Sequence, residues 1–215
     1  MIMKKLFAFI LSLVALTTLS AQITHTAKGA VDQTANTILQ EVADKWAKAS
    51  FKFDVTVVNY DVNKKETFRQ NANITYRTPC YIVKAGDIEI YCDGKSVYQV
   101  NMNAKEVVIT PMSNSDDDLT NPASLLANYQ NNYRAKYIRE ENGLAIIDLQ
   151  PKNGHQYHKL RLFVDVKAKR LKKVEQHNYD SSRSEYGFSN YSMIKITPEA
   201  FKYTVPQDYE TIDMR

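Results

Sequence analysis

Glycine and proline are scarce, six of each in 215 residues, and there are only two cysteines and one tryptophan. With so few breakers, no low-complexity linker and no internal repeat interrupts the chain. Beyond the first 21 residues no apolar run reaches the length of a spanning helix, which excludes a transmembrane helix there. Charge of neither sign dominates: 28 Lys and Arg face 24 Asp and Glu. They are interspersed, so the chain lacks the clustered basic face that nucleic-acid binding needs. No G-x-S-x-G, no phosphate-binding glycine loop and no evident nucleophile–base pair occurs. The expectation is a binder or carrier rather than an enzyme, working without a cofactor.

The first 21 residues have the opposite character. Lys4 and Lys5 precede a nearly unbroken apolar run, Leu6 to Leu16, and Thr18, Leu19, Ser20 and Ala21 then lead to Gln22. A basic start, a short apolar stretch and small residues mark a cleavable secretory signal over residues 1–21. No cysteine follows it, so nothing there can be lipidated. Removing Lys4 and Lys5 leaves +2 of the formal +4, nearly neutral for one domain over 22–215.

Ala30 to Ala49 reads as an amphipathic helix, with Val31, Ala35, Ile38, Val42 and Trp46 near one stripe and Asp32 in the first turn. The period then changes to two. Phe51, Phe53, Val55 and Val57 alternate with Lys52, Asp54 and Thr56, as on a half-buried strand. A second strand runs through Ala72, Ile74 and Tyr76 to Pro79. Further strands are expected near 81–85, 88–92, 96–101, 105–110, 133–140, 144–150, 157–166, 170–178 and 184–191. A last strand is expected over 201–205. Ser113 to Asn121 reads as a loop. Asn121 and Pro122 open a short helix carrying Leu125 and Leu126. Strands joined by tight turns make an antiparallel meander. Two helices are too few to cover about 11 strands laid flat, so the sheet must curl. The expected class is mainly β (α+β): an incomplete antiparallel β-barrel, or half-barrel, with helices covering the open hydrophobic side.

By strand parity the inward residues, and candidates for lining a ligand cavity, are Phe51, Phe53, Val55, Ile74, Tyr76, Ile82, Ile90, Tyr98, Val100, Ile109, Ile147, Leu149, Leu160, Leu162 and Val164. Trp46, Leu125 and Leu126 join them from the helices. The plainer reading of each is core packing. Cys80 and Cys92 flank a hairpin turning at Gly86-Asp87. With a three-residue loop they oppose one another and can form a disulfide; a one-residue slip separates them and leaves two small buried apolar residues. His155 and His158 form an HxxH pair beside Gly154 with no third ligand nearby, and Asp116 to Asp118 lack the glycine and distal glutamate of a calcium loop. No metal site is expected.

Several segments, in order, resemble one family. They are Asn73-Ile74-Thr75-Tyr76-Arg77-Thr78-Pro79, Cys92-Asp93-Gly94-Lys95-Ser96-Val97-Tyr98, Asn121-Pro122-Ala123-Ser124-Leu125-Leu126, Leu149-Gln150-Pro151-Lys152, Leu160-Arg161-Leu162-Phe163-Val164-Asp165 and Phe201-Lys202-Tyr203-Thr204-Val205-Pro206. Their order and spacing resemble the periplasmic outer-membrane lipoprotein carriers (LolA-like) over nearly the whole mature chain. The resemblance implies a monomer in the periplasm of a Gram-negative bacterium. It would take acyl chains of lipoproteins, or lipids, from an inner-membrane lipoprotein-releasing transporter to the outer membrane, where an acceptor is a further partner. A sensor or regulatory binding module on the same fold is the alternative. Family members carry an arginine just before the proline of the early strand, which helps hold the lid closed. Here that position is Thr78, and Arg77 precedes it, pointing by alternation to the other face.

Overall fold

A computed structural model describes residues 32–112 and 122–215. The expected signal segment, Val31, the polar loop at 113–121, Asp116 to Asp118 and the proposed cap Asn121 all lie outside the described residues.

Helix α1 (Gln33–Lys48) is started by Asp32, whose side chain accepts the Ala35 amide. Asp32 is therefore the N-cap rather than a first-turn residue. Lys45 and Lys48 occupy the last turn, where the helix dipole favours cations. The buried stripe is Ala35, Leu39, Val42 and Trp46, so Leu39 takes the central place expected of Ile38, which is only partly buried.

The strands are β1 (Ser50–Tyr60), β2 (Glu66–Arg77), β3 (Cys80–Ala85), β4 (Ile88–Cys92), β5 (Ser96–Asn101), β6 (Glu106–Pro111), β7 (Tyr133–Glu141), β8 (Leu144–Pro151), β9 (Tyr157–Asp165), β10 (Arg170–Asn178), β11 (Arg183–Met193) and β12 (Glu210–Asp213). Helix α2 (Pro122–Asn132) joins β6 to β7, and a 3₁₀ turn, Pro198–Phe201, follows β11. All twelve strands form one open sheet in the order β12-β6-β5-β4-β3-β2-β1-β11-β10-β9-β8-β7. The half-barrel class holds. Two antiparallel meanders, β1–β6 and β7–β11, meet where β1 pairs with β11.

The C-terminus departs from expectation. Residues 202–206 form no strand. The chain instead runs on to β12, which lies parallel to β6 with Glu210 opposite Glu106.

One face of the sheet is apolar and packs on the helices. Val57, Tyr186, Val174, Leu162, Ile147 and Tyr137 form one unbroken row of opposed pairs across it, from β1 through β11, β10, β9 and β8 to β7. Side chains opposed in this way pack directly on one another, which is the unit of sheet stabilisation.

Candidate functional site

The inner face gathers most of the expected lining. Trp46, Phe51, Phe53, Val55, Ile74, Tyr76, Ile90, Leu125, Leu126, Ile147, Leu149, Leu160, Leu162 and Val164 all belong to one buried cluster. Four candidates do not. Ile82 pairs with Tyr91 on the outer face. Tyr98, Val100 and Ile109 sit in a second apolar cluster, packed against Tyr203, Val205 and Tyr209 of the C-terminal segment. Alternation does pick out an apolar face in β5, because Gln99 and Asn101 lie on the other one. That apolar face turns outward, where the C-terminal segment covers it, so being apolar does not mark it as the inner face.

Register explains Ile82 and the cysteines together. Ala85 pairs with Ile88 across a two-residue turn in which Gly86 has φ +62°. Tyr81 thus opposes Cys92, and Cys80 opposes Arg77. The one-residue slip turns Tyr81 and Val83 inward, and Cys80 and Cys92 are buried without a disulfide.

Trp46 is the centre of an aromatic cage. Its ring lies 5.7 Å from Phe51, 5.5 Å from Phe53, 5.3 Å from Tyr76 and 6.4 Å from Tyr191, centroid to centroid. Tyr191 was not legible in the alternation. A bulge in β11, where Asn190 (φ 52°) and Tyr191 face the single residue between Lys52 and Asp54 of β1, shifts the parity of β11 so that Phe188 and Tyr191 both reach the core. Asp54 fixes that bulge, accepting from Asn73 and from Asn190, each at 2.6 Å. Burial of Tyr191 pushes its phenol well above the ordinary range. Tyr133 and Tyr157, also missed, share a hydroxyl–hydroxyl contact of 2.6 Å inside the same cluster.

The helices over this face are fastened unequally. The Tyr129 hydroxyl of α2 donates to Asn36 at 2.9 Å and joins the two helices to each other. Asp32 accepts the Tyr137 amide of β7 at 2.8 Å. Lys45 donates to the Ala168 carbonyl at 2.6 Å, and Glu41 pairs with Lys169 at 3.2 Å. Lys152 donates to the Gln130 carbonyl at the end of α2. These last four contacts hold the helix pair to the β7–β11 meander. Toward the other meander, the polar link among the described residues is Thr78, whose hydroxyl donates to the Trp46 carbonyl at 3.2 Å and contacts the Tyr76 hydroxyl at 2.7 Å. Arg77 turns away and donates to the Ile196 carbonyl.

A groove of about 890 Å³ opens beside Thr78, lined by residues 47–50, 77–78 and 193–197. The outer face of β8–β10 is ionic. Asp148 accepts both a 2.7 Å and a 2.9 Å bond from Arg161, with Lys159 at 3.6 Å. Burial alone would raise the Asp148 carboxyl, but Arg161 and Lys159 hold it below its ordinary range. His155 packs on Tyr133 and Tyr157, whereas His158 lies beside His177 and Tyr179. The HxxH pair is thus divided between two environments. No group of three metal-ligating residues occurs among the described residues.

The family model for the outer membrane lipoprotein carrier protein LolA matches residues 80–204. No curated protein sequence matches the chain. An uncharacterized conserved protein from Thermus thermophilus is similar at 13% identity and TM-score 0.56, covering 84% of this chain and 99% of its own. A LolA superfamily protein from Nitrosomonas europaea is 15% identical with TM-score 0.45, covering 79% of this chain and 97% of its own.

Proposed function

For a chain that belongs to the outer-membrane lipoprotein carrier family LolA, we propose the work of a periplasmic carrier. It takes acyl chains of lipoproteins between the sheet and its two helices and moves them from the inner to the outer membrane. It acts by binding, not by turnover. Its partners are the inner-membrane lipoprotein-releasing transporter and an outer-membrane acceptor, and it works as a monomer exported by the signal at 1–21.

One observation carries this reading. The helices are tied by polar bonds to the β7–β11 meander and rest on the β1–β6 meander by apolar packing and the Thr78–Trp46 bond. Such an arrangement opens along one side. Lipid tails then replace Trp46, Leu125 and Leu126 against the inner face. Burying a C16 chain is worth roughly 12 kcal/mol gross at about 0.8 kcal/mol per methylene. Displacing the packed helix side chains offsets part of that gain, so cargo can leave again. Thr78 stands where the family has arginine and closes the lid with a hydroxyl instead of a guanidinium.

The test is release of lipoprotein. Purified protein from Gln22 onward is added to spheroplasts with an active transporter, and the supernatant is assayed for triacylated lipoproteins. A one-to-one soluble complex supports the carrier. No release overturns the shuttle.

A further inference from the structure

The groove beside Thr78 has a composition of its own. Its lining contains Lys48, Arg77 and Lys195 and no carboxylate. Ala47, Ala49, Met193, Ile194 and Ile196 supply its apolar surface. Lys48 and Lys195 are exposed, and neither enters an ion pair or hydrogen bond with any described residue. Arg77 is partly committed, through its bond to the Ile196 carbonyl and the charge of nearby Glu199. Met193 is 72% exposed on the rim, the most exposed large apolar side chain among the described residues.

Position adds to composition. Ala47 follows Trp46 in the chain, Ser50 precedes Phe51, Arg77 follows Tyr76, and Met193 is two residues past Tyr191. The groove is therefore walled by the chain neighbours of the aromatic cage, and Thr78, which closes the lid on that side, is one of its lining residues. Cations beside an apolar wall suit a molecule that is anionic at one end and hydrocarbon at the other.

We propose that this groove holds the phosphate head group of an anionic phospholipid. Lys48 and Lys195 face the phosphate, Met193 and Ile194 lie along the first methylenes, and the tails pass inward beside Thr78. This rests on the carrier reading for the fate of the tails, and adds an anionic phospholipid as a second occupant of the same hollow.

The experiment uses the protein from Gln22 onward with two phospholipids bearing the same fluorescent acyl chain, phosphatidylglycerol and phosphatidylcholine. Phosphatidylglycerol should bind about tenfold tighter at low salt, and the difference should shrink as ionic strength rises. The K48Q/K195Q variant should lose the difference and keep its affinity for phosphatidylcholine, which also shows that it is folded. Equal binding of the two lipids by the unmodified protein overturns the inference and leaves the carrier intact. Binding of neither also overturns the inference, and the lipoprotein release assay then decides the carrier on its own. Displacement of phosphatidylglycerol by millimolar inorganic phosphate overturns the lipid as the source, because the groove would then recognise phosphate alone.

Discussion

Asp32 joins two backbones through one carboxylate, accepting the Ala35 amide at 3.0 Å with one oxygen and the Tyr137 amide at 2.8 Å with the other. The first bond starts α1. The second satisfies a donor on edge strand β7 and fixes the helix to it. Replacing Asp32 by Ala should cost about 1–2 kcal/mol in urea unfolding. Asn keeps one acceptor and should cost less. The Ala35 amide, then the Tyr137 amide, hold the carboxyl below its ordinary 3.8. A lowered folded pKa gives stability that is present above pH 4 and lost as pH falls through the folded value. The stability gap between the unmodified protein and D32N should therefore close in acid.

Thr78→Val removes the hydroxyl that holds the Trp46 carbonyl while keeping the side-chain volume. One net hydrogen bond is worth about 1 kcal/mol, or roughly fivefold in an opening equilibrium. Stopped-flow uptake of a fluorescent fatty acid should accelerate by about that factor. An unchanged rate would mean that the lid opens elsewhere.

Arg161→Leu leaves Asp148, itself only 8% exposed, with Lys159 as its remaining cation. Loss of one partner from a buried pair costs about 3 kcal/mol or more. The double variant D148L/R161L should recover most of it, because two apolar groups need no compensation. Burial would raise the Asp148 carboxyl and the two cations lower it. The deficit of R161L should thus narrow as pH falls and the carboxyl protonates. Denaturant midpoints at neutral and acid pH measure both effects.

Trp46→Ala should be the most damaging single change in α1. The ring is 2% exposed and touches four other aromatic rings, and truncating such a residue costs about 3–5 kcal/mol. Asn190→Ala tests the same cage from outside. It removes the bond to Asp54 and places an alanine at φ 52°, costing about 1–2 kcal/mol. Trp46 fluorescence should shift as Tyr191 leaves its place.

Much of this was legible in the alternation. Phe51, Phe53 and Val55 announced β1 and its inner face, and Leu160, Leu162 and Val164 did the same for β9, because the opposite faces carry Lys52, Asp54 and Thr56 in one and Lys159, Arg161 and Asp165 in the other. Legibility ended where a local irregularity reset the phase. Asn190 moved Tyr191, the two-residue Gly86-Asp87 turn moved Ile82, and Tyr203 covers the apolar face of β5 from outside, so Tyr98 is packed without facing inward. The groove lay beyond sequence reading altogether. Lys48, Arg77 and Lys195 are distant in the chain and meet only because β1 has β2 on one side and β11 on the other.

That central pairing has a kinetic consequence. Every other antiparallel neighbour in the sheet follows its partner directly along the chain, so each meander can zip from its own turns. β1 and β11 are different, because Val55 must find Phe188 across the whole intervening sequence. Closing so long a loop comes late and slowly. Until it closes, the cage around Trp46 lacks Tyr191 and two sheet edges stand unpaired in the middle of the molecule. A chain that pauses there offers those edges to its neighbours. The seam between β1 and β11 is where folding and aggregation compete.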